Sequence, residues 1–443
     1  MMRKLIGLLL FPLLAHVLPA QGAMAPKRSV LSNGMVLLTS EQRSLPIVSI
    51  EMLIDAGARH ESAEHAGLAH LTSKVLADGT AKRNALQISD TLDFIGASLD
   101  SGCGDDLATI SMTILKKDLA VGLELLGEIL TGASFPVAEI DRQKQAIIAS
   151  IRAKEEDPGS VAAEAFAAAL FPGSAYGRPV EGTEASVKRL NRQQVQEFFQ
   201  RYYRPNRTIM SVVGDVSETE ISAALNQVLK NWTKGEASKP PTVPAQNDST
   251  RTLRVNKDLT QANIILGHVG VPRGHPDYYA IQVMNYILGG GGFSSRAMES
   301  IRNERGLAYS VYSYFGAEKS YGTFQFVMQT KNESAAEATR LAREEIRRMR
   351  DELVSEVELN DAKDYLIGSF PLRLDTNHKV AGFLGQVEFY ELGLDYPDRY
   401  ADFIRKVSRA DVQRVARQYL HPERLITVVV GDQKKINLPQ TQN

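Results

Sequence analysis

The chain has 443 residues, 43% of them hydrophobic, with 51 basic residues set against 52 acidic ones. That length carries about two to three domains, each able to bury a core. The near-cancelled charge gives no sign of a polyanion-binding surface, so no nucleic-acid partner is expected. The single cysteine, Cys103, excludes an internal disulfide.

In chain order, Arg3 and Lys4 lead into a short apolar run, broken by Pro12 and His16 and followed by the small residues Ala20, Gly22 and Ala23. This pattern predicts a signal peptide over residues 1–22, periplasmic localisation and no membrane anchor after cleavage. A first domain is expected over residues 27–232. Its β-rich runs are Ile47–Ile54 and Ala108–Leu115, and its helical periodicities are Leu119–Leu130 and Val195–Tyr203. The polar stretch from Asp55 to Gly67 holds His60, Glu64 and His65. Its histidines are five apart, which on a helix turns them by roughly 140° from one another, so a solvated loop is expected there.

Gly67-Leu-Ala-His70-Leu-Thr-Ser73-Lys74 and the following Asp78-Gly-Thr80 form the next element. The stretch resembles the signature of the insulinase-like (pitrilysin, M16) metallopeptidases. In that family a helix carries His-x-x-Glu-His, with two histidines on one face ligating zinc and the glutamate serving as general base. His70 matches the first histidine, but Ser73 stands at the base and Lys74 at the second ligand. Serine carries no carboxylate, and an ammonium repels a dication. The family's third ligand is a glutamate on a later helix; here the Ala149-Ser150 region takes that place, and Glu155, Glu156 and Asp157 read as an exposed acidic turn before Pro158. The degenerate motif at His70, Ser73 and Lys74 therefore implies no metal in this chain. Any zinc is expected in a partner.

Residues 233–250, rich in Pro, Ser and charge, predict an extended linker, stiffened by Pro240 and Pro241 and acting as the hinge between two halves. The second domain is expected over residues 251–436, with strands at Ala262–Val269 and Gly322–Met328 and helices at Tyr278–Leu288 and Ala335–Met349. The halves repeat. Tyr203-Arg-Pro205 through Gly214-Asp215 returns as Leu420-His-Pro422 through Gly431-Asp432, and Glu139–Ile151 returns as Glu358–Phe370. So long a period signals duplicated domains. The expected class is α+β: two such domains, each a mostly antiparallel sheet covered by helices, joined by the linker. The resemblance implies that they form half of a clam-shell chamber.

The second half carries Gly289-Gly290-Gly291-Gly292-Phe293, then Arg302 and, seven residues later, Tyr309. The glycines lack a phosphate-loop ending and read as a substrate-contacting loop or, alternatively, as a plain helix-connecting turn. The Arg/Tyr spacing resembles the family's C-domain pair, which contacts substrate backbone and the charge developing on its carbonyl. A helix is expected to end near Gly306, with Tyr309 opening a strand. Together these features resemble a B-type, metal-free subunit that pairs with a zinc-bearing M16 homologue to hydrolyse peptides or unfolded chains, its Arg302 and Tyr309 acting in trans. The alternative is a non-enzymatic peptide-binding or scaffold protein of the same fold.

Overall fold

The computed structural model describes residues 25–247 and 249–438; the expected signal peptide lies outside them. The first half begins with β1 (Lys27–Val30), β2 (Val36–Glu41), β3 (Ile47–Ile54), α1 (Leu68–Lys74), α2 (Ala85–Ile95), β4 (Ser98–Cys103) and β5 (Ala108–Leu115). It continues through α3 (Leu119–Gly132), α4 (Val137–Glu156), α5 (Pro158–Leu170), α6 (Glu184–Arg189), α7 (Arg192–Tyr202), β6 (Thr208–Gly214) and α8 (Glu218–Val228). The second half begins with β7 (Arg251–Asn256), β8 (Gln261–Val269), α9 (Tyr278–Asn285), β9 (Ala308–Ala317) and β10 (Gly322–Lys331). It ends with α10 (Ala335–Asp351), α11 (Glu356–Ser369), α12 (Asn377–Phe389), α13 (Tyr396–Arg405), α14 (Arg409–Tyr419) and β11 (Ile426–Gly431).

Both sheets share one topology. The first is ordered β1-β2-β6-β3-β5-β4 and the second β7-β11-β8-β10-β9. The repeated Gly-Asp segments supply the equivalent strands β6 and β11. β6 is parallel to β2 and antiparallel to β3, as β11 is parallel to β7 and antiparallel to β8, and the first sheet adds β1 as an extra edge strand. Local chemistry sets the helix boundaries: Asn84 with Gln87, Asn191 with Gln194 and Ser355 with Glu358 form capping boxes. Asp157, expected in a solvated turn, accepts from the Ser160 N–H at 2.7 Å and starts α5 with Pro158 in its first turn.

One face of each sheet packs on its own helices, and the other face is covered by a helix from the opposite half. Helix α5 lies on β8 and β11, where Ala162, Phe166 and Leu170 meet Ile265, Ile426, Val428 and Val430. Helix α12 lies on β3 and β6, where Val380, Ala381 and Leu384 meet Leu38 and Val213. The same element of each repeat is exchanged. Polar contacts follow: His378 Nδ1 lies 2.8 Å from the buried Glu51 carboxylate on β3, and Arg28 pairs with Glu388 at 2.9 Å.

This exchange corrects the expected hinge. Each fully buried Leu or Phe contributes about 1.5–3 kcal/mol, so two cross-half cores hold the halves as one body. Among the described residues of 233–250 there is no helix or strand, but the segment is tied down. Ser238 donates to Asp55, Arg59 donates to the Lys239 carbonyl at 3.2 Å, and Asn247 N–H donates to Leu170 O at 2.9 Å. A protease site placed at Pro240–Pro241 should, once cut, leave the two fragments co-eluting in gel filtration; separate elution would contradict the exchanged-helix account.

The loop at 55–67 is also not the solvated segment expected. Asp55 is buried and accepts from Arg59, Arg207 and Ser238, while His60 Nε2 lies 2.6 Å from it and the imidazole stacks on Tyr202. His65 sits apart, 2.9 Å from the Gln194 amide nitrogen.

Candidate functional site

Helix α1 begins at Gly67, whose φ of 93° suits glycine; a Cβ there would lie 2.5 Å from the Glu181 carbonyl oxygen. Glu61, buried in the loop before it, accepts from the Gly67 and Ala69 N–H groups, each at 2.9 Å. A carboxylate at a helix N-terminus satisfies its orphan donors and its partial positive charge. Burial nevertheless pushes the Glu61 carboxyl up to about 7, while the backbone donors and Arg178 pull it down. A folded-state value above the unfolded one means stability that is fully present below about pH 4.5 and lost as pH rises through about 7. The Tm of the wild type relative to that of Glu61→Gln should therefore fall on going from about pH 5 to about pH 8. A wild-type Tm that rose relative to the variant over that range would reverse the assignment.

His70 is half-buried on α1, and its Nδ1 has no hydrogen-bond partner. Burial holds the imidazole below its ordinary value; Glu181 opposes that, and Lys74 and Lys154 reinforce it. Ser73 is fully buried and turned into its own helix, its Oγ donating to the His70 carbonyl at 2.7 Å. Lys74 is exposed, and Lys154, one turn beyond Ser150 on α4, pairs with Glu181. Ala149 and Ser150 are exposed and bring no carboxylate. One imidazole, a sealed hydroxyl and two ammonium groups do not fit a zinc ion, which takes four ligands drawn from thiolate, imidazole, carboxylate and water. Among the described residues, no cluster of three or more His, Cys, Asp or Glu is placed to hold a metal.

Ser73→Glu with Lys74→His should still bind no stoichiometric zinc, because the third ligand is missing at Ser150 and Lys154 stays beside the site. Elemental analysis after gel filtration is the check. One zinc per chain would mean that Glu181 completes the set.

The second half presents donors instead. After α9 the chain widens into a π-helical turn at Tyr286–Gly290 and another at Met298–Asn303, a feature frequent at functional sites. Arg302 lies in the second turn, its guanidinium 5.1 Å from the Phe293 ring centroid and 3.7 Å from Met298 Sδ. No carboxylate pairs with it among the described residues. The turn closes at Gly306, with φ 62°, and β9 opens at Ala308. Gln329 pairs with Ser310 and Thr330 with Ala308, so Tyr309 is the extra residue of a β-bulge. The bulge turns its phenol outward, 71% exposed, onto the side of β9 that also presents Tyr312 and Tyr314.

The glycines divide. Gly289 is buried, and a Cβ on it would lie 2.6 Å from Ser313 N, so its part is close packing against β9 and not substrate contact. Gly290 and Gly291 would press a Cβ on Asn285 and Tyr286, whereas Gly292, with φ 58° and open space, turns the chain before the exposed Phe293. The sequence reading missed the contact of Phe293 with Arg302, the buried Glu51 and Glu61, and the bulge. A charged residue inside the apolar run of β3 was the available signal for Glu51.

This geometry agrees with the likenesses to known proteins. Residues 36–184 match the family model for Insulinase (Peptidase family M16), and residues 189–366 match that of the Peptidase M16 inactive domain. The chain belongs to the M16 peptidase family. It is 28% identical over 413 residues to an uncharacterized zinc protease of Streptomyces coelicolor, covering 91% of this chain and 89% of that protein. A crystal structure of a peptidase M16 inactive domain from Pseudomonas fluorescens superposes with a TM-score of 0.88 at 26% identity, covering 95% of this chain and all of that one. A protease from Helicobacter pylori shares the fold at 20% identity and a TM-score of 0.84, over 92% of this chain and all of that one. Among the described residues no helix is long and apolar enough to cross a membrane.

Proposed function

We propose that this chain is the non-zinc subunit of a B-type M16 peptidase, exported to the periplasm and paired with a zinc-bearing homologue. Arg302 and Tyr309 then reach across the chamber to a peptide or unfolded chain at the partner's metal. The guanidinium has fixed donors and permanent charge, and the phenol adds one donor; both suit a carbonyl oxygen gaining negative charge. One observation carries the reading: the donor pair is free of acidic partners and set on special backbone, while the helix that should hold metal has a lysine and a sealed serine in place of a ligand and a base. Incubating the chain with such a homologue should yield peptide hydrolysis that neither shows alone. Chelator-sensitive hydrolysis by this chain alone would overturn the proposal.

A further inference from the structure

A cavity of about 270 Å³ lies where the linker folds back on the first half. Arg59 and His60 line it from the loop after β3, Arg201 and Tyr202 from the end of α7, and Arg207 from the approach to β6. The linker closes it with Glu236, Lys239 and Pro240. Four cationic side chains thus face a space whose lining offers one carboxylate. That one, Glu236, is engaged at the exposed rim, 4.0 Å from Arg201.

The two inner arginines are held from below. Asp55 accepts from both, and Asp106 lies 3.3 Å from Arg59 Nε. Every polar contact that they make runs through Nε or Nη2, including those to the Asp55 and Lys239 carbonyls. The Nη1 group of each has no partner among the described residues. The Lys239 ammonium makes no ion pair among them either, although Arg59 fixes the Lys239 carbonyl at 3.2 Å. Three carboxylates, Asp55, Asp106 and Glu236, therefore answer four cations, and unused donors remain at the cavity.

His60 adds a switchable charge. Its Nε2 lies 2.6 Å from Asp55 and 3.2 Å from Arg207, and its ring stacks on Tyr202 with centroids 4.5 Å apart. Nδ1 is left without a partner among the described residues. Burial holds the imidazole below its ordinary value; Asp55 opposes that, while Arg59 and Arg207 reinforce it. Asp106 also acts on it, and Lys239, Arg201 and Glu236 share the cavity with it. An anion at the free guanidinium edges offsets the two arginines, so the ring takes up a proton and gains an Nδ1 donor.

We propose that this cavity binds a small dianionic oxyanion, free phosphate, which bridges Arg59 and Arg207 of the first half to Lys239 of the linker. Tetrahedral oxyanions match guanidinium donors in charge and spacing, and the space admits one with water. Bound there, the ion fastens the linker to the first half. The site needs neither a partner subunit nor a peptide, so it stands apart from the proposed function.

The test is calorimetric titration of the full chain with sulfate, which stays dianionic between about pH 6 and about pH 8, at constant ionic strength. Sulfate should bind about three- to tenfold tighter at the lower pH, because His60 gains a proton in the complex. Chloride, which cannot bridge the donors, should bind at least about tenfold more weakly. Lys239→Met, a change at an exposed side chain, should weaken sulfate about fivefold. His60→Gln should keep binding and abolish its pH dependence, and the wild-type profile decides the matter even if that variant folds poorly. Inorganic phosphate should compete with sulfate, whether or not ethyl phosphate also does; competition by ethyl phosphate alone would overturn the free ion as occupant. Equal binding of chloride and sulfate, or sulfate binding indifferent to either pH or Lys239→Met, would overturn the proposal.

Discussion

Arg302→Ala in the reconstituted pair should lower kcat about ten- to a thousand-fold while leaving the assembly intact, as removal of a transition-state donor does. Tyr309→Phe should act in the same direction. Both follow from the geometry: the guanidinium is propped by the Phe293 ring with no carboxylate among the described residues to satisfy it, and the bulge at Tyr309 turns an exposed phenol outward. Neither side chain supports a core, so Tm should hardly move. Unchanged turnover in both variants would instead favour the scaffold reading, which asks nothing of these donors. Steady-state hydrolysis with gel filtration of each mixture separates the outcomes.

The largest effects on stability belong to the exchanged helices. Phe166→Ala on α5 should cost about 3–5 kcal/mol and Leu384→Ala on α12 about 2–5 kcal/mol, the range for large buried side chains. Phe166 is packed so closely that a Cβ at Gly267 would lie 2.5 Å from its ring. Because each helix covers the other half's sheet, either substitution should lower a single shared transition in calorimetry. Two transitions, only one of which shifts, would show that the halves fold independently.

Much of the architecture was legible in the sequence because it rests on local pattern. β-branched alternation marked β3 and β5 at their observed limits, and the offset repeat of the Gly-Asp segments announced two equivalent sheets. The end of the turn at Gly306 and the strand at Tyr309 followed from glycine and aromatic placement. What was not legible depends on contacts far apart in the chain. Helices α5 and α12 are not among the elements expected from the sequence, and nothing in their residues says which half they cover. The Asp55 to Gly67 stretch looks polar and therefore exposed, yet Arg207 from β6's approach and Ser238 from the linker cover Asp55. The buried position of Gly289 depends on its meeting with Ser313, which no run of glycines reveals.

The claim at the centre of this account is that the chain brings donors to a chamber whose metal another chain holds. Zinc content tests it most directly. The purified mature chain, equilibrated with micromolar zinc and passed through gel filtration, is expected to retain no stoichiometric metal, since His70 stands with Lys74 and Lys154 where two further ligands are needed. One tightly held zinc per chain would contradict it.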